Sequence, residues 1–136
     1  MYIARMLYPV KVLGPGRRLG IWFQGCPRRC KGCSNPELWE QEPERLTSAG
    51  DVFRLTEQVR SCGRIDGFTL SGGDPFFQPD ALRELLPRLN GISGDVLVYT
   101  GYSYEELRGR YPDILSGIAV LIDGEYVEER NTGSLL

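Results

Sequence analysis

Cys26, Cys30 and Cys33 stand within the stretch QGCPRRCKGCSN, spaced C-x₃-C-x₂-C. Three thiols packed this tightly favour a metal centre over a disulfide framework. The chain has four cysteines and no histidine, and its remaining thiol, Cys62, lies far downstream. Structural zinc takes four protein ligands. Without histidine, the four-cysteine form would have to recruit Cys62. An iron–sulfur cluster uses thiolates naturally, and with only three of them it keeps one iron open to a small molecule. Spacing alone leaves zinc, iron–sulfur and unrelated thiols all open.

Two further short stretches invite chemistry. Gly72-Gly73-Asp74-Pro75 and Thr100-Gly101-Tyr102 each follow a short apolar run. Small residues there let a backbone approach a ligand closely, and Asp74 adds a carboxylate. Taken alone, the first stretch also reads as an ordinary strand-to-helix turn.

The elements that must position these stretches are legible as alternating runs. Residues 2–8 read as an edge strand, and Gly14-Pro15-Gly16 as a turn. Residues 19–23 read as a strand that ends at the cysteines, and 34–50 as loop. Residues 51–62 read as a helix with Val52, Leu55, Val59 and Cys62 on one apolar face, so Cys62 is expected to pack against the core. Strands are expected at 66–71, 95–100 and 118–123. A helix is expected over 80–90, with Leu82, Leu85, Leu86 and Leu89 on one face and Pro87 kinking or ending it. Ser103 with Glu106 three residues on is a capping box. Strands alternating with helices predict an α/β fold with a parallel sheet. A closed eight-unit barrel needs ~250 residues. A chain of 136 residues therefore holds about four βα units plus an N-terminal edge strand, as an open sheet or partial barrel, and a single domain over 1–136 is expected. In such sheets the site lies at the C-terminal ends of the strands, so the cysteine loop, the Gly72 loop and the Thr100 loop are expected to converge on one rim.

Composition narrows the classes. Apolar residues make up 41% and charged residues 25% of the chain, with a net charge of −2. That balance suits a soluble globular protein and argues against a nucleic-acid binder, whose domain is usually basic. No run approaches the ~18 apolar residues of a membrane span, and Met1-Tyr2-Ile3-Ala4-Arg5 lacks the apolar stretch of a signal peptide. A cytoplasmic location is expected, with neither nucleic acid nor membrane as partner.

The loop CPRRCKGC resembles the cluster motif of the radical S-adenosylmethionine superfamily. More narrowly, LGPGRR, GCPRRCKGCSNPELW, DGFTLSGGDPF, VYTGYSYEEL and VLIDGEYV occur in the order found in the anaerobic ribonucleotide reductase activating proteins, and they cover nearly the whole chain. The resemblance implies a partial (β/α) barrel and a [4Fe–4S] cluster on Cys26, Cys30 and Cys33. The open iron would be chelated by the amino and carboxylate groups of S-adenosylmethionine. Reductive cleavage of that cosubstrate would then give a 5′-deoxyadenosyl radical, which removes hydrogen from a backbone glycine of a large partner.

The resemblance also implies roles for single residues. Gly32 stands where many superfamily members carry an aromatic residue; it lets the backbone approach the adenine, and it also suits a tight turn between ligands. Ser34, Gly72, Gly73, Asp74 and Thr100 are expected to bind the cosubstrate, with Asp74 or nearby carbonyls receiving the methionine ammonium. Arg28, Arg29 and Lys31 would offset cluster charge, contact an electron donor, or simply be solvated. Trp22 and Trp39 would shield the cluster or pack in the core. The implied partners are a glycyl-radical enzyme, most closely an anaerobic ribonucleotide reductase, and a low-potential electron donor such as flavodoxin or ferredoxin. The alternatives are an enzyme acting on another glycyl-radical enzyme or peptide, and a metal-stabilised binding module without catalysis. The family continues past VLIDGEYV into a segment with Arg-Gly-Ser and Asn-Gln. A chain that stops at Leu136 is expected to lack that tail or to be a shortened relative.

Overall fold

The computed structural model describes residues 1–10, 16–25 and 46–123. Five strands form one sheet in the order in which they occur in the chain. Strand β1 (Ile3–Val10) runs antiparallel to β2 (Arg18–Phe23). Then β3 (Gly67–Gly72), β4 (Val96–Tyr99) and β5 (Val120–Ile122) follow, each parallel to its neighbour. The expected four parallel strands and N-terminal edge strand are therefore present. The connections carry α1 (Ala49–Cys62), α2 (Pro79–Asn90), α3 (Tyr104–Arg110) and α4 (Pro112–Leu115). Among the described residues no helix is long and apolar enough to cross a membrane.

Alternation along the strands decides what faces the helices. Leu19, Ile21, Phe23, Phe68, Leu70, Val96 and Val98 are buried in one cluster with Val52, Leu82, Leu85, Leu86, Leu89 and Leu107. The intervening residues, among them Arg18, Trp22, Thr69 and Tyr99, fall on the other face because successive side chains in a strand alternate. Arg18 is fully buried at the start of β2. Its Nε donates to Thr69 Oγ1 at 2.8 Å, and its Nη1 pairs with Asp95 Oδ2 at 2.9 Å. Its Nη2 donates to the Phe68 carbonyl at 2.6 Å. A buried guanidinium needs such a full set of acceptors. This locked end of the sheet is where the parallel strands begin, opposite the end at which β2 reaches Phe23.

Two expectations are corrected. Cys62 is exposed, not packed in the core. The inward face of α1 is carried by Val52 and Thr56, with Phe53 and Val59 partly buried, and Leu55 is 45% exposed. Thr56 can face inward because its hydroxyl donates to the Val52 carbonyl at 2.8 Å, so the apolar residues alone misplace the stripe. Helix α2 runs from Pro79 to Asn90, as expected over 80–90, with Pro87 inside it and Leu82, Leu85, Leu86 and Leu89 all buried; burial of that face outweighs the lost backbone donor. Helix α1 also begins two residues earlier than expected, because Ser48 caps it by accepting from Asp51 N. The Ser103–Glu106 capping box of α3 is present as expected.

Candidate active site

The parallel strands all end at one rim, and the chain between them turns there. Strand β2 delivers Gln24 and Gly25 to this rim, immediately before Cys26. Gly25, the last described residue before Cys26, has φ +119°, a conformation that favours glycine. Cys26, Cys30, Cys33, Gly32, Ser34, Arg28, Arg29, Lys31 and Trp39 lie outside the described residues, so their expected roles are carried by sequence alone. Trp22, on β2, lies with the Arg5 guanidinium 5.5 Å from its ring centroid.

Strand β3 ends at Gly72, where φ is +107° and a Cβ would stand 2.3 Å from the Phe23 carbonyl oxygen. Only glycine lets the two strand ends close up. The next two amides continue the ladder past the strands: Gly73 N donates to Phe23 O and Asp74 N to Gly25 O, both at 2.9 Å. Asp74 is 1% exposed. Its Oδ1 accepts from Phe76 N at 3.0 Å and from Thr100 Oγ1 at 2.8 Å. Its Oδ2 accepts from Gly101 N at 2.8 Å. Thr100 Oγ1 in turn accepts from Tyr102 N at 3.1 Å. The Gly72 loop, the Thr100 loop and the approach to Cys26 are thus one hydrogen-bonded unit, with Asp74 at its centre.

One contributor was not singled out from the sequence. Gln78 stands just before Pro79 at the N-cap of α2, yet its side chain caps nothing. Its Oε1 accepts from Tyr2 N at 2.7 Å, and its Nε2 donates to Tyr2 O at 3.0 Å and Gln24 O at 3.1 Å. All three partners are main-chain atoms of distant residues, so residue types carry no signal for them.

Among the described residues, no group of three histidine, cysteine or acidic side chains is placed to hold a metal ion. Cys62 closes α1, which returns the chain to the start of β3 and hence to the end of the sheet away from the rim. A six-residue strand spans roughly 20 Å, so Cys62 lies about a strand's length from the rim that Gly25 reaches. The expected donor set, three thiols with no histidine in the chain, has the chemistry of a [4Fe–4S] cluster with one open iron rather than of structural zinc, which takes four protein ligands.

Comparison with known proteins agrees with this chemistry. Residues 12–136 match the family described as a 4Fe-4S single cluster domain. The anaerobic ribonucleoside-triphosphate reductase-activating protein of Escherichia coli K12 is 30% identical over 136 residues, covering 95% of this chain and 88% of that protein. The protein of the same name from Haemophilus influenzae is 33% identical over 142 residues, covering 95% and 87%. Among solved structures, QueE from Escherichia coli superposes with a TM-score of 0.60 at 20% identity, over 74% of this chain and 52% of that one; it shares the fold. The chain belongs to the 4Fe-4S single cluster domain family, among the radical S-adenosylmethionine proteins.

Proposed function

We propose that this chain is an activating enzyme that reductively cleaves S-adenosylmethionine and installs a glycyl radical on a partner enzyme, an anaerobic ribonucleotide reductase. The reading is carried by a match to activating proteins that runs over 95% of the chain. Cys26, Cys30 and Cys33 would hold a [4Fe–4S] cluster, and that cluster would supply the low-potential electron for reductive cleavage of S-adenosylmethionine.

The described residues prepare that site. Gly72 and Gly73 bring main chain to the rim with no side chain in the way. Asp74 fixes the position of this loop against Thr100 and Gly101, and the loop carbonyls receive the methionine ammonium. Gly32, Ser34 and Thr100 complete the cosubstrate contacts. Residues 1–136 act as one domain. Four parallel strands cannot close around a substrate as eight would, so a glycine-bearing loop of the partner fills the open side and excludes water. The electron comes from flavodoxin or ferredoxin, and the protein works in the cytoplasm without nucleic acid or membrane.

The test mixes the reconstituted, reduced protein with an anaerobic ribonucleotide reductase from the same genome. Electron paramagnetic resonance should show a glycyl radical on the partner, and cosubstrate cleavage should be slow without it. Efficient dehydrogenation or methylation of a free small molecule, with no partner-borne radical, overturns the reading.

A further inference from the structure

The segment bearing Cys26, Cys30 and Cys33 leaves the described chain at Gly25 and rejoins it at Leu46. Both of its ends are tied to the first two residues. On the far side, Leu46 bridges Tyr2, Thr47 N donates to Met1 O at 2.7 Å, and the Met1 ammonium donates to Thr47 O at 2.9 Å. On the near side, Gln24 N donates to Tyr2 O at 3.0 Å. Gln78 sits on this junction: its amide spans both main-chain groups of Tyr2 and the carbonyl of Gln24. It also stands four residues after Asp74, on the loop expected to hold the cosubstrate. One side chain therefore joins the cosubstrate loop to the neck of the cysteine segment.

We propose that Gln78 is a positioning residue for the cluster. It fixes the neck from which the three cysteines emerge, and through that neck it sets the surroundings of the cluster. The proposal rests on the assignment of the cluster to Cys26, Cys30 and Cys33. The physical case is one of complementarity. The Gln78 amide matches one donor and two acceptors, all main-chain, in a part-buried junction where an unmet group is costly. Methionine has nearly the same shape and matches none of them. Glutamate keeps the acceptor for Tyr2 N but sets a carboxylate against two carbonyls.

The experiment compares the full reconstituted chain with Gln78→Met and Gln78→Glu. Partners that orient metal ligands typically change retention ~10–100-fold when lost. Both variants should lose iron to a chelator about tenfold faster than the unaltered protein. The electron paramagnetic resonance signal of the reduced cluster should shift, and amide exchange at Tyr2 and Gln24 should speed up while Leu70 and Val98 keep their protection. Iron content of the unaltered protein reports on the cluster assignment itself, so the two failures are separable. Iron retention and spectrum unchanged in both variants overturn the proposal. So does loss of Leu70 and Val98 protection in both, because Gln78 would then hold the fold rather than the neck.

Discussion

Asp74 and Thr100 meet through a 2.8 Å hydrogen bond between the Thr100 hydroxyl and a carboxylate that is almost wholly buried. The same carboxylate accepts the amides of Phe76 and Gly101. Asp74→Ala leaves all three donors without this acceptor and should cost about 2–4 kcal/mol of stability. Asp74→Asn keeps one oxygen and should cost roughly half as much. Thermal melts should rank the chains unaltered, Asn, Ala, and titration calorimetry with S-adenosylmethionine should follow the same order. An Asp74→Ala protein that melts like the unaltered chain would show that the loops do not depend on this carboxylate.

Among the described glycines, Gly72 is where an added Cβ would come nearest to main chain. Gly72→Ala places a methyl group 2.3 Å from Phe23 O at a φ of +107°, which should cost about 3 kcal/mol. The urea midpoint should fall with little change in slope. A midpoint within error of the unaltered protein contradicts the described strand geometry.

The thiols should divide into two classes. Alanine at Cys26, Cys30 or Cys33 should abolish cluster assembly, read as iron and sulfide after anaerobic reconstitution. Cys62→Ala, at an exposed helix end, should leave iron content unchanged. Loss of the cluster in Cys62→Ala would move the fourth ligand back into the protein and disfavour an open iron.

Tyr99 carries a buried hydroxyl with no hydrogen-bond partner among the described residues, and burial pushes its pKa above the usual value of 10.0. The folded chain thus holds this proton more tightly than the unfolded chain. Its contribution is constant below about pH 10 and is lost as pH rises beyond it. Tyr99→Phe should match or exceed the unaltered protein in stability near pH 7 and lose less of it in the alkaline range. Melting temperatures across that range measure the difference. A steeper alkaline decline in Tyr99→Phe would show the sign to be wrong.

The strands and the capping box were readable because their signals are local: β-branched and aromatic runs for β2 to β4, and Ser103 three residues before Glu106. The meeting of the Gly72 and Thr100 loops was readable from topology, since parallel strands share one rim; of the cysteine loop only its approach at Gly25 is described. The face of α1 was misread because Thr56 buries a polar residue by bonding its own helix, which apolar spacing does not register. Gln78 was invisible for a different reason. Its partners, Tyr2 and Gln24, contribute only amide and carbonyl groups, which every residue type except proline possesses in full.

That last point bears on how freely such a chain can drift. A joint made largely of peptide groups asks little of residue identity. It requires glycine where a β-carbon would intrude, an acceptor at position 74 and an amide at 78. Elsewhere the sequence is at liberty to change so long as size and polarity are kept. A fold held this way can persist at 20% identity, as it does between this chain and QueE.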